Sequence, residues 1–151
     1  MGLKMKFTCK WIAAYLLLLI SIWLIALPVS AIDYSPIEDF FETMLVDPQL
    51  GTSINAADVT IDASQVTIDY TTSASSLIEV GNDIAVVVMF YKKIADDYPE
   101  VGDLLILARS HPGGTPTKFS CRKSWISNLD GNDANAIGDV VGNVIETSSS
   151  S

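Results

Sequence analysis

The N-terminal segment divides this chain into two parts, of which only the second can build a globular core. Three lysines between residues 4 and 10 precede an uncharged apolar run of 17 residues, Trp11–Leu27, which Pro28 ends. A basic start, an apolar stretch and small residues before a cleavage site are typical of a secretory signal peptide. We therefore predict that residues 1–31 direct export, with cleavage after Ala31.

A retained membrane anchor is the alternative for the same segment. The apolar run of 17 residues exceeds the roughly 7–15 residues of a signal peptide and reaches the lower end of the roughly 17–25 that can span a bilayer. The lysines keep the N-terminus on the cytoplasmic side in either case. We thus expect residues 32–151 to be secreted or exposed at the extracytoplasmic cell surface, touching the membrane only through residues 11–27.

The exported part is strongly acidic. Residues 1–31 contain three of the nine basic residues and none of the eighteen acidic ones, so the remainder carries a formal net charge of −12. Such a surface argues against binding nucleic acid, because phosphates require a basic surface. Cys121 is the one cysteine after the segment, so no internal disulfide can form and packing must stabilise the fold.

The first half of the exported part predicts a helix and a hairpin. Ser35-Pro36 can open a short amphipathic helix over 33–46. Apolar and polar residues alternate over 58–70, which predicts a β-hairpin with one apolar face. If its turn centres on Ala63-Ser64, Ile61 faces Val66.

The second half predicts helix, hairpin and helix. Ser76 and Glu79 form a capping box at the start of a core helix over 76–97. A Pro- and Gly-rich loop separates strands over 103–110 and 117–126, and Asp130 or Asn132 can cap a final helix. The predicted fold is α+β: a four-stranded, mainly antiparallel sheet of two β-hairpins with packed helices, in the order α-ββ-α-ββ-α. It forms one domain over 32–147, followed by a disordered serine tail over 148–151.

Cys121 and His111 invite comparison with a thiol nucleophile and its base. His111 opens the loop of the second hairpin, and Cys121 lies about five residues into the next strand, roughly 16 Å along it. Cys121 also alternates in phase with Phe119 and Trp125. A buried structural thiol and an ordinary loop histidine are the favoured interpretation.

Two acidic clusters suggest cation binding. The hairpin register sets Asp58 opposite Asp69 with Asp62 nearby, but a Ca²⁺ site needs 6–8 oxygen ligands. The segment 130–135 resembles a calcium loop superficially but lacks the glycine and glutamate that such a loop requires. A solvated face and a helix cap explain them better, and we predict no metal, cofactor or catalytic site.

The second hairpin collects most of the positive charge of the exported part, and two glycines punctuate the last helix. The basic residues are Arg109, Lys118, Arg122 and Lys123. They form either a solvated face or a docking surface for an anionic partner. Gly138 and Gly142, four residues apart, suggest close packing of the last helix on the sheet or on a partner.

The pattern as a whole indicates a binding module more than an enzyme. No catalytic constellation accompanies the export segment, so we expect a non-enzymatic domain that binds a protein or cell-surface partner through its hairpins. The alternative is a small extracytoplasmic hydrolase or thiol-dependent enzyme that uses Cys121 or the hairpin aspartates.

Overall fold

The computed structural model describes residues 32–150, and the predicted signal or anchor segment lies outside this range. Residues from Tyr34 onward form one unit by their internal contacts. In chain order, the helices and strands are α1 (Ser35–Leu45), a 3-10 turn (Pro48–Leu50), β1 (Ile54–Ile61), β2 (Gln65–Thr72), α2 (Leu77–Asp97), β3 (Asp103–Arg109), β4 (Thr117–Cys121), α3 (Lys123–Ile126), α4 (Ala134–Glu146) and β5 (Ser149–Ser150).

The strands form one mixed sheet in the order β1-β2-β3-β4-β5. The α+β class and both predicted hairpins are confirmed, because β1 pairs antiparallel with β2 and β3 pairs antiparallel with β4. The two hairpins meet through a parallel pair, β2 with β3, so the sheet is not purely antiparallel. The 21-residue helix α2 explains the difference, since it carries the chain back along the sheet before β3 begins.

The register of the first hairpin agrees with the sequence prediction. Ile61 lies opposite Val66, and Asp58 lies opposite Asp69. The carboxylate of Asp62 accepts hydrogen bonds from the backbone N–H groups of Ser64 and Gln65, which closes the turn. Alternation and turn chemistry together were enough to determine this pairing.

The second hairpin is shorter than predicted. β4 ends at Cys121, and the predicted continuation of the strand to residue 126 is wrong, because Lys123–Ile126 form the short helix α3. The backbone N–H of Lys123 donates to the Asp103 carboxylate, and its ammonium donates to the Val101 carbonyl. These bonds hold α3 against the start of β3.

The C-terminal region also differs from the prediction in detail. Asp133, rather than Asp130 or Asn132, caps α4, accepting from two backbone N–H groups of its first turn. The close packing of Gly138 and Gly142 on the sheet is wrong, because a Cβ added at either would meet nothing within 4 Å; packing of these glycines on a partner stays a prediction. Where a disordered tail is predicted, Ser149–Ser150 pair with β4.

The core lies on one face of the sheet, beneath α2. Buried and exposed residues alternate along the strands, so one face is covered by the helices and the other carries exposed and half-buried side chains. The predicted capping box of α2, Ser76 with Glu79, is confirmed. The largest fully buried side chains are Tyr70, Tyr91, Leu45, Ile68, Ile84, Ile94, Leu104, Ile106 and Ile126.

Helix α1 closes the outer edge of the sheet through two glutamates. Glu42 Oε1 accepts a hydrogen bond from the Val59 N–H at 2.9 Å, and Glu38 Oε1 accepts from the Ile61 N–H at 2.6 Å. Both N–H groups belong to the side of β1 that faces away from β2. Since an open strand edge invites pairing with other chains, these two carboxylates protect it.

Candidate functional site

A cavity of about 160 Å³ opens at the carboxyl ends of the parallel strands β2 and β3, beside the first half of α2. In open α/β sheets, ligands bind at the carboxyl ends of the strands. The lining residues are Tyr70, Thr72, Ala74, Val80, Asp83, Ala108, Arg109, Ser110, Thr117 and Phe119. Hydroxyl-bearing residues, one acidic residue, one arginine and apolar residues thus surround a small space.

Among the charged residues of the described chain, Asp83 is the one that is buried, with an exposed fraction of 0%. Its Oδ1 accepts from the Ser53 N–H at 2.7 Å, and its Oδ2 accepts from the Thr72 hydroxyl at 2.6 Å. No lysine, arginine or histidine within residues 32–150 forms an ion pair with it. Buried charges are normally paired, so a carboxylate held only by two neutral donors is a polar group with unused capacity.

Tyr70 brings a free hydroxyl to the same cavity. The side chain is 2% exposed, yet its hydroxyl forms no hydrogen bond with any residue of the described range. Burial, and then the negative charge of Asp83, raise the pKa of Tyr70, so its hydroxyl stays protonated. Tyr91 differs, because its buried hydroxyl donates to the Gly102 carbonyl at 2.7 Å.

The three aspartates of the first hairpin have different surroundings, and one of them is paired with Arg109. Asp69 and Arg109 pair with each other, with Arg109 Nη2 at 2.8 Å from Asp69 Oδ2, and Arg109 also donates to the Gly114 carbonyl. The carboxylate of Asp62 belongs to the turn, and Asp58 is exposed. The structure therefore separates the three aspartates by role.

The remaining basic side chains of the second hairpin are also divided. Lys123 donates to the Val101 carbonyl, and the guanidinium of Arg122 lies 5.7 Å from the centre of the Trp125 ring. Lys118 is exposed on β4. Lys118 and Arg122 therefore stay exposed, whereas Arg109 and Lys123 are engaged by neighbouring groups.

Cys121 and His111 are not brought together. Cys121 is 0% exposed at the end of β4, opposite Leu104, whereas His111 is exposed in the loop before β4 begins. Burial, with a smaller contribution from the charge of Asp103, raises the pKa of the Cys121 thiol to about 12. The interpretation of Cys121 as a buried structural thiol is therefore confirmed.

Within residues 32–150, no group of three His, Cys, Asp or Glu side chains is arranged to hold a metal ion. The acidic segment 130–135 is explained by local bonds: Asp130 accepts from the Asn132 N–H, and Asp133 caps α4. Over the same range, no helix has the length and apolar character needed to cross a bilayer. The predicted span, residues 11–27, lies outside the described part.

Sequence reasoning missed Tyr70 and Asp83 as candidate site residues. Asp83 lies three residues after Val80 and directly before the apolar run that begins at Ile84, which places it on the buried side of the core helix. An acidic residue at such a position was the signal that could have identified it. Comparison of the chain with protein-family models, curated proteins and solved structures gave no match. The candidate site therefore rests on its own geometry.

Proposed function

We propose that this protein is an exported, non-enzymatic binding domain that holds a small polar group in the cavity beside Asp83. One observation carries the proposal: a fully buried acidic residue without a cationic partner in the described chain lines the same cavity as a tyrosine whose hydroxyl has no partner there. Burying a charge without a cation costs free energy, which a cationic ligand beside Asp83 would offset, and the Tyr70 hydroxyl keeps its hydrogen-bonding capacity for that ligand.

The size of the cavity limits what it can hold. A cavity of roughly 150 Å³ accommodates benzene, whereas pockets for drug-sized ligands measure about 300–1,000 Å³. The cavity of about 160 Å³ therefore suits a ligand of about six non-hydrogen atoms, or the end of one side chain of a larger partner.

The enzymatic alternative has less support. A thiol nucleophile must be accessible and ionised, and Cys121 is buried with a pKa of about 12. Asp62 and Asp69, two of the hairpin aspartates, are engaged in a turn and an ion pair. Binding without chemistry uses the cavity as it stands.

Export is the second half of the proposal, and it rests on residues 1–31. Intact mass spectrometry of the natively expressed protein tests it directly. A mass that begins at Ile32 supports a cleaved signal peptide, and the full mass in a membrane fraction supports a retained anchor. The full mass in the cytosol would contradict export.

A fragment screen tests the binding half. We expect NMR titration of the full chain with small polar fragments to shift resonances around the cavity, including those of Ala108 and Thr117. Ala108→Leu, which fills the cavity, should abolish these shifts. Thr60→Leu, a comparable enlargement on the exposed face of β1, should leave them unchanged. Fragments that bind elsewhere, or equally well after Ala108→Leu, would refute the proposal.

A further inference from the structure

We infer that the cavity beside Asp83 recognises a primary ammonium group on a short aliphatic chain. The inference rests on the proposed binding function and specifies its ligand class. The observation behind it is the composition of the cavity: one buried acidic residue without a cationic partner, several hydroxyls, apolar walls, and one arginine whose charge is paired with Asp69.

The polar groups match the donors of an ammonium ion. Each Asp83 oxygen already accepts one hydrogen bond and has capacity for another. The hydroxyls of Tyr70, Ser110 and Thr117 line the same space and have no hydrogen-bond partner in the described range. A primary ammonium carries three N–H donors and no acceptor, so a carboxylate and neutral hydroxyls can satisfy all of them.

The negative charge of Asp83 and of the whole exported part argues against an anionic ligand. Asp83 repels an anion at close range, and residues 32–151 carry a formal net charge of −12, which attracts cations from a distance. Arg109, the cationic residue among those that line the cavity, is already paired with Asp69. A divalent metal is also a poor match, because Ca²⁺ takes 6–8 oxygen ligands and the cavity offers one carboxylate.

The apolar walls indicate an alkylammonium rather than an ammonium ion alone. Val80, Ala108 and Phe119 line the cavity and can cover methylene groups next to the charge. A free alkylamine and a lysine side chain of a partner present the same chemistry. Leu77 and Ile78, 71% and 78% exposed, follow the lining residue Ala74 and would offer apolar contact to a lysine-bearing chain.

The test uses the full chain, expressed with residues 1–31 in place, and follows its NMR spectrum during titration. The probes are ethylammonium, its neutral counterpart ethanol, tetramethylammonium, and a short peptide with lysine or acetyl-lysine. We expect ethylammonium to bind about 10- to 100-fold more tightly than ethanol or tetramethylammonium, because charge and N–H donors are both required. Tighter binding of the lysine peptide than of ethylammonium identifies a polypeptide partner, and equal or weaker binding identifies a free amine.

Three variants separate binding from stability. Tyr70→Phe removes a hydroxyl without a protein partner and should weaken ethylammonium binding about 3- to 10-fold at unchanged stability. Tyr91→Phe, the matched control, loses its bond to Gly102 and should bind normally. Asp83→Asn removes the charge and should abolish binding.

Two failures have different meanings. If ethanol or acetate binds in the cavity as tightly as ethylammonium, the ammonium inference is wrong while the binding function stands. If no probe shifts the resonances of Tyr70, Asp83 or Ala108, the ammonium inference is wrong. The fragment screen then shows whether the cavity binds another small polar group, as the proposed binding function requires.

Discussion

The two glutamates of α1 provide the sharpest test of how this fold protects its sheet. Glu38 and Glu42 accept hydrogen bonds from backbone N–H groups on the outer side of β1, at 2.6 and 2.9 Å. Replacing both with alanine leaves these donors to water or to another chain. We expect the double variant to be less stable and to expose the edge.

The magnitude follows from the bonds that are lost. A hydrogen bond to a charged group contributes about 1.5–3 kcal/mol, and the lower end applies because both glutamates are half-exposed. Because alanine has a higher helix propensity than glutamate, each substitution offsets about 0.3 kcal/mol of this loss in the free energy of unfolding. The free energy of unfolding should therefore fall by about 2 kcal/mol, and Tm by roughly 6–10 °C.

Chemical denaturation gives the stability, and amide hydrogen exchange gives the location. Exchange at Val59 and Ile61 should accelerate more than exchange at other amides of β1. Asp39→Ala, on the exposed side of the same helix, controls for helix propensity. If the double variant loses no more stability than this control, or if the two amides stay protected, the edge is held by apolar packing of α1 and our reasoning is wrong.

Four further predictions follow from side chains elsewhere in the fold. Cys121, buried with a pKa of about 12, should resist iodoacetamide in the native protein at pH 8 and react fully in urea; rapid native alkylation would show that β4 opens. Gly138→Ala and Gly142→Ala should each raise the free energy of unfolding by about 0.5–1 kcal/mol. Gly102→Ala should instead lower it by about 1–3 kcal/mol in the same urea titration, because its Cβ would lie 1.9 Å from a backbone carbonyl oxygen. Hydrogen bonds from the N–H of Ser75, and then from its hydroxyl, lower the pKa of Glu79. The ionised Glu79 therefore stabilises the fold above the ordinary glutamate pKa of about 4.3, and this contribution is lost as the pH falls below that value. Glu79→Gln, which keeps the cap, should flatten the dependence of the free energy of unfolding on pH between about 6 and 3.

Local chemistry explains why parts of the fold were predictable. The alternation of the first hairpin determined its register down to the Asp58–Asp69 pair, and the capping box determined where α2 begins. Both signals act between residues close in sequence, where turn geometry and backbone hydrogen bonds decide the outcome. The end of β4 was missed because bonds from Lys123 to Asp103 and Val101, distant in sequence, favour a helical turn.

The candidate site depended on contacts that no local pattern contains. Asp83 is useful only because α2 lays it beside Thr72 at the end of β2, and the parallel pairing of β2 with β3 places Ala108 next to Tyr70. The sequence drew attention to Cys121 and His111, which are the one cysteine and the one histidine of residues 32–151, whereas the structure separates them. Proximity in the fold, rather than rarity, identified the cavity.

Intermolecular nuclear Overhauser effects between ethylammonium and the full chain would show directly whether the cavity beside Asp83 binds an ammonium group. We expect contacts from the ethyl protons to the methyl groups of Ala108 and Val80 and to the ring of Phe119, because all three residues line the cavity. These contacts should disappear in Asp83→Asn and persist in Tyr91→Phe. Contacts confined to another surface, or none at saturating ethylammonium, would contradict the assignment of this cavity as an ammonium site.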